Sequence, residues 1–262
     1  MNTIKFEEMT PSRLEAAKRE KPLIYLPVGS MEWHGPHMGM GMDTENAYEV
    51  AKRSAARTGG TVYPPLYIGT ESPRTPETLR KLGFQGNEQI TGMDFPGNTV
   101  KSMYWPPELF EAVIRQHIEF LCRMGYELIV LLNGHGADRQ IEILERLSEE
   151  YTERGKVRVI TILALFEGCG AGIGHAGLAE TAIMQAVCPE GVDLSALPPK
   201  PEKLYNTKFA IVDNETFING PNEDYSVRYD PRDSTAELGE RLLEFAVLQC
   251  TAVVSEAIEK LK

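Results

Sequence analysis

Near its middle the chain carries Glu127-Leu128-Ile129-Val130-Leu131-Leu132, followed directly by Asn133-Gly134-His135-Gly136. Five consecutive apolar residues predict a strand that is buried on both faces, as strands of parallel sheets are. A helical pattern follows, so the Asn-Gly pair marks a strand-to-helix connection rather than a hairpin. The two glycines let the backbone approach a ligand closely, and His135 is expected to project from the carboxyl end of this strand.

Strand and helix patterns alternate on both sides of this segment. Strands are predicted over residues 23–28, 61–68, 127–132 and 157–165, and helices over 44–57, 106–124, 138–153, 178–187 and 234–261. This alternation predicts βαβ units and an α/β fold, a three-layer αβα sandwich with a mainly parallel central sheet. Asp43 or Thr44 is expected to cap the first of these helices. No linker separates two independent cores, so residues 1–262 are expected to form a single domain.

Composition limits the classes of function. The chain of 262 residues has 27 Lys and Arg against 38 Asp and Glu, a net charge of −11. An acidic chain repels phosphate backbones and anionic lipids, so we expect no nucleic-acid partner and no membrane. No apolar run approaches the roughly 20 residues of a membrane span, and the first residues lack the apolar core of a secretion signal. Four scattered cysteines predict reduced thiols in a cytoplasmic protein.

Histidines mark the candidate site. The chain has five of them, and His34, His37, His135 and His175 stand beside glycine-rich turns at the ends of predicted elements. In open α/β sheets this rim is where ligands bind. His117 is the exception, because it lies in the middle of a predicted helix and is expected to be a structural or surface residue.

The first histidine cluster is rich in metal-binding residue types. It reads Gly29-Ser30-Met31-Glu32-Trp33-His34-Gly35-Pro36-His37, and Asp43 follows. Glu32 and His34 are two residues apart, so in an extended chain they point to the same side, and Asp43 could fold back onto them. Glu, His and Asp together suit Zn²⁺, Mn²⁺ or Fe²⁺. The alternative is a polar loop in which Asp43 only caps a helix.

The last histidine cluster combines a glycine-rich segment with an acid. Residues 170–177 contain His175, and Glu180 lies early in the following helix. The glycines do not match a GxGxxG loop after a strand, and no Lys-Ser/Thr pair follows, so nucleotide binding is disfavoured. Glu180 could also be an ordinary first-turn acid favoured by the helix dipole.

These segments resemble, in this order, the motifs GSxExHGPHxxxxxD, NGHG and HAGxxET of the creatininase (creatinine amidohydrolase) family. Residues 229–240 also resemble that family's closing motif. The resemblance covers nearly the whole chain and implies a creatininase-like fold. It implies a homo-oligomer as well, since family members are often hexamers, and a small-molecule substrate.

The resemblance further implies a binuclear metal-dependent hydrolase. Two divalent ions per chain, Zn, Mn or Fe, would be held by Glu32, His34, Asp43, His135 and Glu180. Asp43 would bridge the ions, with Glu32 and His135 on one and the other pair on the second. His175 matches the catalytic histidine that moves a proton. The implied reaction is hydrolysis of a C–N bond in a small, cyclic amide by a water bridged between the metals.

Two departures from the family argue against creatinine as the substrate. Ala137 stands where creatininase has a glutamate, and Gly172-Ile173-Gly174 lacks the aromatic residue that precedes its catalytic histidine. Two alternatives therefore stay open: ring-opening hydrolysis of a cyclic keto-polyol such as a keto-inositol, and a non-catalytic metal- or metabolite-binding protein. Trp33, Tyr104 and Trp105 could supply a stacking surface, although each also suits core packing.

Two long loops, over residues 69–105 and 202–228, are expected to select the substrate. They hold polar side chains that could recognise a hydroxylated or charged small molecule: Glu71, Arg74, Glu77, Arg80, Asn98, Lys208 and Arg228. Each of these could equally be a solvated surface residue.

Overall fold

A parallel sheet lies at the centre of the fold. The structure, a computed structural model, describes residues 3–165, 172, 174–213 and 226–261. In that part of the chain the sheet consists of β1 (Leu23–Gly29), β2 (Thr61–Val62), β3 (Leu66–Tyr67), β4 (Leu128–Asn133) and β5 (Arg158–Leu163). The order is β2-β1-β4-β5, with β3 also pairing with β1, and all these pairings are parallel. A separate antiparallel pair joins β6 (Gly174–His175) to β7 (Val212–Asp213).

Helices cover both faces of the sheet. The described residues contain α1 (Pro11–Glu20), α2 (Met42–Thr58), α3 (Pro76–Lys81), α4 (Pro107–Arg123), α5 (Asp138–Glu153), α6 (Leu178–Val187), α7 (Asn206–Phe209) and α8 (Ala236–Glu259). Successive side chains of β4 alternate between two apolar cores. Leu128, Val130 and Leu132 join the core under α2, α6 and α8, and Ile129 and Leu131 join the core under α4 and α5. The predicted three-layer αβα sandwich with a mainly parallel sheet is confirmed.

The structure corrects three local predictions. The strand predicted over 61–68 is split into β2 and β3, because Pro64 and Pro65 lack the N–H groups that would pair with β1. Three helices, α1, α3 and α7, were not predicted. Helix α1 buries none of its residues, so it has no apolar stripe to reveal it. Helix α2 begins at Met42 with Gly41 as its N-cap, so the prediction that Asp43 or Thr44 caps it is wrong.

Some predicted features lie outside the described residues: Cys169, Gly170, Ala171 and Ile173. Within the described ranges, no helix combines the length and the apolar content that crossing a membrane requires.

Candidate metal centre

The candidate site lies where β1 and β4 end side by side. Val28 pairs with Asn133 in parallel register, so the segments that follow both strands leave from the same edge of the sheet. A Cβ added to Gly134 would stand 1.8 Å from the carbonyl oxygen of Asp43, and one added to Gly29 would stand 2.6 Å from the backbone nitrogen of Thr44. These glycines therefore let the first turn of α2 lie directly against the ends of both strands. Asp43 is placed at the site by this contact.

The turn after β4 is held by side-chain amides. The N–H of His135 donates to Asn133 Oδ1, and Asn133 Nδ2 donates back to the carbonyl oxygen of His135. Gln140 Nε2, from α5, donates to the same Asn133 Oδ1 at 2.7 Å. All three residues are buried. This closed network orients the His135 ring towards the site.

One half of the site is built around His135. Its Nδ1 lies 3.0 Å from Glu32 Oε2 and 3.0 Å from Asp43 Oδ2. The hydroxyl of Ser30 donates to Asp43 Oδ2 at 2.5 Å and lies 3.0 Å from Glu32 Oε2. Two carboxylate oxygens and one imidazole nitrogen thus converge on one point.

The other half is built around His34. Its Nδ1 donates to the carbonyl oxygen of Glu32 at 3.0 Å, which leaves Nε2 facing the site. His34 Nε2 lies 3.2 Å from Asp43 Oδ1 and 3.8 Å from Glu180 Oε2. It is buried without a hydrogen-bond partner. Asp43 therefore presents one oxygen to each imidazole.

His175 packs against this second half. Its Nε2 donates to the carbonyl oxygen of Trp33 at 2.6 Å, and its Nδ1 lies 3.8 Å from Glu32 Oε1. The ring centroids of His175 and His34 are 4.5 Å apart. Because the backbone carbonyl can only accept, Nε2 carries the hydrogen and Nδ1 offers its lone pair to the site.

The site concentrates negative charge in the interior. Glu32, Asp43 and Glu180 are each at most 5% exposed, and no Lys or Arg of the described residues forms an ion pair with them. Buried carboxylates are costly unless a counter-charge compensates them. Carboxylate and imidazole donors are the ligands that Zn²⁺, Mn²⁺ and Fe²⁺ take in proteins. The donor set therefore fits divalent transition-metal ions.

Burial and the neighbouring charges of the site shift the pKa values of these groups. Burial opposes ionisation of Asp43, but contacts with His34 and His135 hold its pKa well below the usual value. Burial raises the pKa of Glu180 to about 7. Burial alone would lower the pKa of His34, but Asp43 and Glu180 raise it to about 10. Burial lowers the pKa of His175 to about 4, so this imidazole is neutral near pH 7.

Three groups of side chains have ligand atoms within 4.8 Å of one another. One group is Glu32, Asp43 and His135, and a second is His34, Asp43 and Glu180. The third is Glu32, His34 and His175. All the site residues expected from the sequence are thus brought together, and the first two groups share Asp43.

The structure also shows which histidines and aromatics stay out of the donor groups. His37 Nε2 pairs with Thr181 Oγ1 at 3.0 Å, and His117 Nδ1 donates to the carbonyl oxygen of Val113 within α4. Trp33 packs in a small apolar cluster, and Trp105 packs at the edge of the core under α4 and α5.

Sequence reasoning missed the roles of Ser30 and Tyr104. Tyr104 donates its hydroxyl to Glu32 Oε1 at 2.6 Å and accepts the N–H of Met93 at 3.0 Å. It thus contacts one candidate ligand through its hydroxyl, a contact that was not predicted, and its ring lies 5.9 Å from the ring of His135 between centroids. Ser30 stands two residues before Glu32, so a polar residue at the end of β1 was the signal available for it. Nothing in the pattern around Tyr104 indicates its contact.

A cavity of about 420 Å³ opens onto the donor cluster. Its described wall consists of Glu32, Asp43, Glu71, Met93, His135, Gly136, Ala137, Asp138, Leu165, Gly174, His175 and Glu180. This volume is within the range of small-molecule sites. Ala137 presents only a methyl group there, so the wall has no carboxylate at that position.

Comparisons with known proteins identify the family of the chain and two curated relatives. The family model for creatininase, creatinine amidohydrolase, matches residues 7–254. The chain is 32% identical over 201 residues to a creatinine amidohydrolase from Pseudomonas putida, covering 70% of this chain and 71% of that protein. It is 28% identical over 138 residues to a 3-dehydro-scyllo-inosose hydrolase from Thermotoga maritima, covering 53% of this chain and 38% of that protein.

Solved structures share the fold. A creatininase described as the Mn form and a mutant creatininase described as Zn-Zn type each give a TM-score of 0.67 at 23% identity. Each comparison covers 98% of this chain and 99% of the other.

Proposed function

Because the chain belongs to the creatininase family, we propose that it is a metal-dependent hydrolase that cleaves a C–N bond of a small, cyclic amide. The observation that carries the proposal is the position of Asp43 between two imidazoles. Its Oδ1 lies 3.2 Å from His34 Nε2 and its Oδ2 lies 3.0 Å from His135 Nδ1. A carboxylate placed in this way can bridge two cations.

The proposed ligands divide between two divalent ions. Glu32 and His135 would hold one ion and His34 and Glu180 the other, with Asp43 shared between them. When bound, such ions supply a nucleophile by acidifying water and stabilise negative charge on a carbonyl oxygen. Zn and Mn are named for creatininases of the same fold, and Fe suits the same donors.

His175 is proposed to move the proton. The hydrogen bond from Nε2 to Trp33 fixes the tautomer, so Nδ1 can accept a proton from the nucleophile side and pass it to the leaving nitrogen. His175 lies on the wall of the cavity, where it can reach a bound substrate. Ser30 and Tyr104 would orient the carboxylates of Asp43 and Glu32 through their hydroxyl groups.

A second candidate is hydrolytic ring opening of a cyclic keto-polyol. The similarity to the 3-dehydro-scyllo-inosose hydrolase supports it. The methyl group of Ala137, in place of the acid expected for creatininase, is consistent with a substrate other than creatinine. The homo-oligomeric state and the cytoplasmic location stay predictions.

A substrate panel tests these proposals. Metal-loaded protein is assayed on cyclic amides, including creatinine and hydantoin, and on keto-inositols. We expect His175→Gln to lower turnover of an accepted substrate by about 100-fold or more while it keeps its metal content. His117→Gln, a change of the same type on α4, serves as the matched control and should match the parent.

The outcomes of this panel distinguish the two candidate reactions from a non-catalytic binder and test the role of His175. Turnover of ketones alone would favour the second candidate. Metal-loaded protein that hydrolyses nothing in the panel, but melts at a higher temperature with one of the compounds, would indicate a non-catalytic binder. A folded His175→Gln that works as fast as the parent would overturn the role of this residue.

A further inference from the structure

Glu71 stands apart from the other carboxylates that reach the donor cluster. It lies in the loop between β3 and α3 and lines the same cavity as His135 and Ala137. Its Oε1 accepts the N–H of Ser72 at 2.6 Å, and its Oε2 has no hydrogen-bond partner among the described residues. Unlike Glu32, Asp43 and Glu180, it belongs to none of the possible metal groups. Its carboxylate is therefore available to a bound molecule.

Thr70, the residue before Glu71, is held in place by two hydrogen bonds. The N–H of Thr70 donates to Gln140 Oε1 at 3.0 Å, and Thr70 Oγ1 donates to the carbonyl oxygen of Trp105 at 2.8 Å. Gln140 also holds Asn133, which orients His135. One buried hydrogen-bond network thus fixes the positions of both Glu71 and His135, a candidate metal ligand.

The charge of the cavity wall is one-sided. Its described lining includes Glu71 and Asp138 in addition to the three carboxylates of the donor cluster, and it includes no Lys or Arg. Two divalent ions, with a charge of +4, would exceed the three carboxylates of the donor cluster by one positive charge, and the carboxylates of Glu71 and Asp138 would then make the described wall net negative.

Arg74 attracts Glu71 through space but makes no direct contact with it. Its guanidinium lies over the ring of Phe95 and contacts the sulfur of Met93 at 3.6 Å. It forms no ion pair with Glu71 and does not line the cavity. Lys101 lines a neighbouring cavity of about 540 Å³, which Glu71 also borders, but it pairs with Asp94 at 3.8 Å.

We propose that Glu71 determines the charge class of the substrate. Its carboxylate would accept hydrogen bonds from an N–H group of the substrate, or pair with a cationic nitrogen, and would disfavour substrates that carry carboxylate or phosphate. This inference rests on the proposed function, since it concerns the molecule that the donor cluster would act on. It adds a specificity-determining residue from a loop that carries none of the candidate metal ligands.

A pair of small probes of nearly equal shape tests the proposal. Methylguanidinium and methylurea differ in charge, and their binding to metal-loaded protein is measured by calorimetry. We expect the parent to prefer methylguanidinium, and Glu71→Gln to reduce that preference about fivefold or more. Glu71→Asp keeps the charge and should keep most of the preference. Glu77→Gln, the same change at an exposed glutamate on α3, is the matched control and should behave as the parent.

The controls make the result decisive. Metal content and melting temperature identify variants that have lost the fold or the ions. If Glu71→Gln is one of them, the preference of Glu71→Asp is compared with that of the parent instead. An unchanged preference in Glu71→Gln, or no preference in the parent, overturns the inference. The measurement needs no turnover, so a chain that shows the preference but hydrolyses no amide would contradict the proposed function and leave this inference standing.

Discussion

Gly134 has no room for a side chain, and this fixes how closely α2 approaches the sheet. A Cβ there would lie 1.8 Å from the carbonyl oxygen of Asp43, a backbone atom that cannot rotate away. We expect Gly134→Ala to lower the free energy of unfolding by about 1–3 kcal/mol, as overpacking does. Gly136→Ala, where a Cβ meets nothing within 4 Å, should change it by less than about 0.5 kcal/mol. Urea denaturation measures both, and equal midpoints for the two variants would contradict this account of the strand ends.

The individual site residues differ in how far sequence could predict them. His34 and His135 stand in glycine-rich segments after apolar runs, so chemistry and position together indicate them. Tyr104 and Glu71 lie in a loop of weak pattern that was expected to select the substrate, but only the folded chain brings these two side chains to the donor cluster. Asp43 was expected either as a ligand or as a helix cap. The structure decides against the cap, because α2 begins at Met42, two residues before the predicted start, and the carboxylate turns towards the imidazoles.

Helix α8 packs against α6 through a glycine, and α6 carries Glu180. A Cβ on Gly239 would lie 1.9 Å from the carbonyl oxygen of Ala182. Helix propensity alone would make Gly239→Ala stabilising by about 1 kcal/mol, but we expect the clash to outweigh it and to lower the melting temperature. Ser255→Ala, at an exposed position of the same helix, is the control and should leave the melting temperature nearly unchanged. A higher melting temperature for Gly239→Ala would show that the two helices separate at little cost.

Elements were predictable where burial imposes a period on the sequence. Helices α5 and α6 begin and end where the pattern predicts, because one face of each packs on the core. Helix α1 buries nothing, so no period marks it. The pairing of β6 with β7 joins short segments that are distant in sequence, and two-residue strands carry no detectable alternation. The local sequence pattern therefore predicts the helices and strands that form the three layers. The segments at the edge of the sheet that holds the site are positioned by long-range contacts, which the pattern does not show.

The molecule as a whole carries a net charge of −11, and it also buries three carboxylates at one point. Surface charges are screened by salt, whereas buried ones are screened much less. Acidic surfaces bind divalent cations weakly and without selectivity. Stabilisation by cations at the buried cluster must therefore be distinguished from general binding to an acidic protein.

We expect Mn²⁺ or Zn²⁺ to stabilise the chelator-treated protein through this cluster. A ligand at 100 times its Kd adds about 2.7 kcal/mol to the free energy of unfolding, which corresponds to a rise of about 5–10 °C in Tm for a chain of this size. Glu180→Gln removes one candidate ligand and should lose most of the rise, whereas Glu77→Gln removes an exposed charge and should keep it. Thermal unfolding with and without the ion measures both. If the two variants respond equally, the ions bind to surface acids, and the cluster around Asp43 is not where the protein holds them.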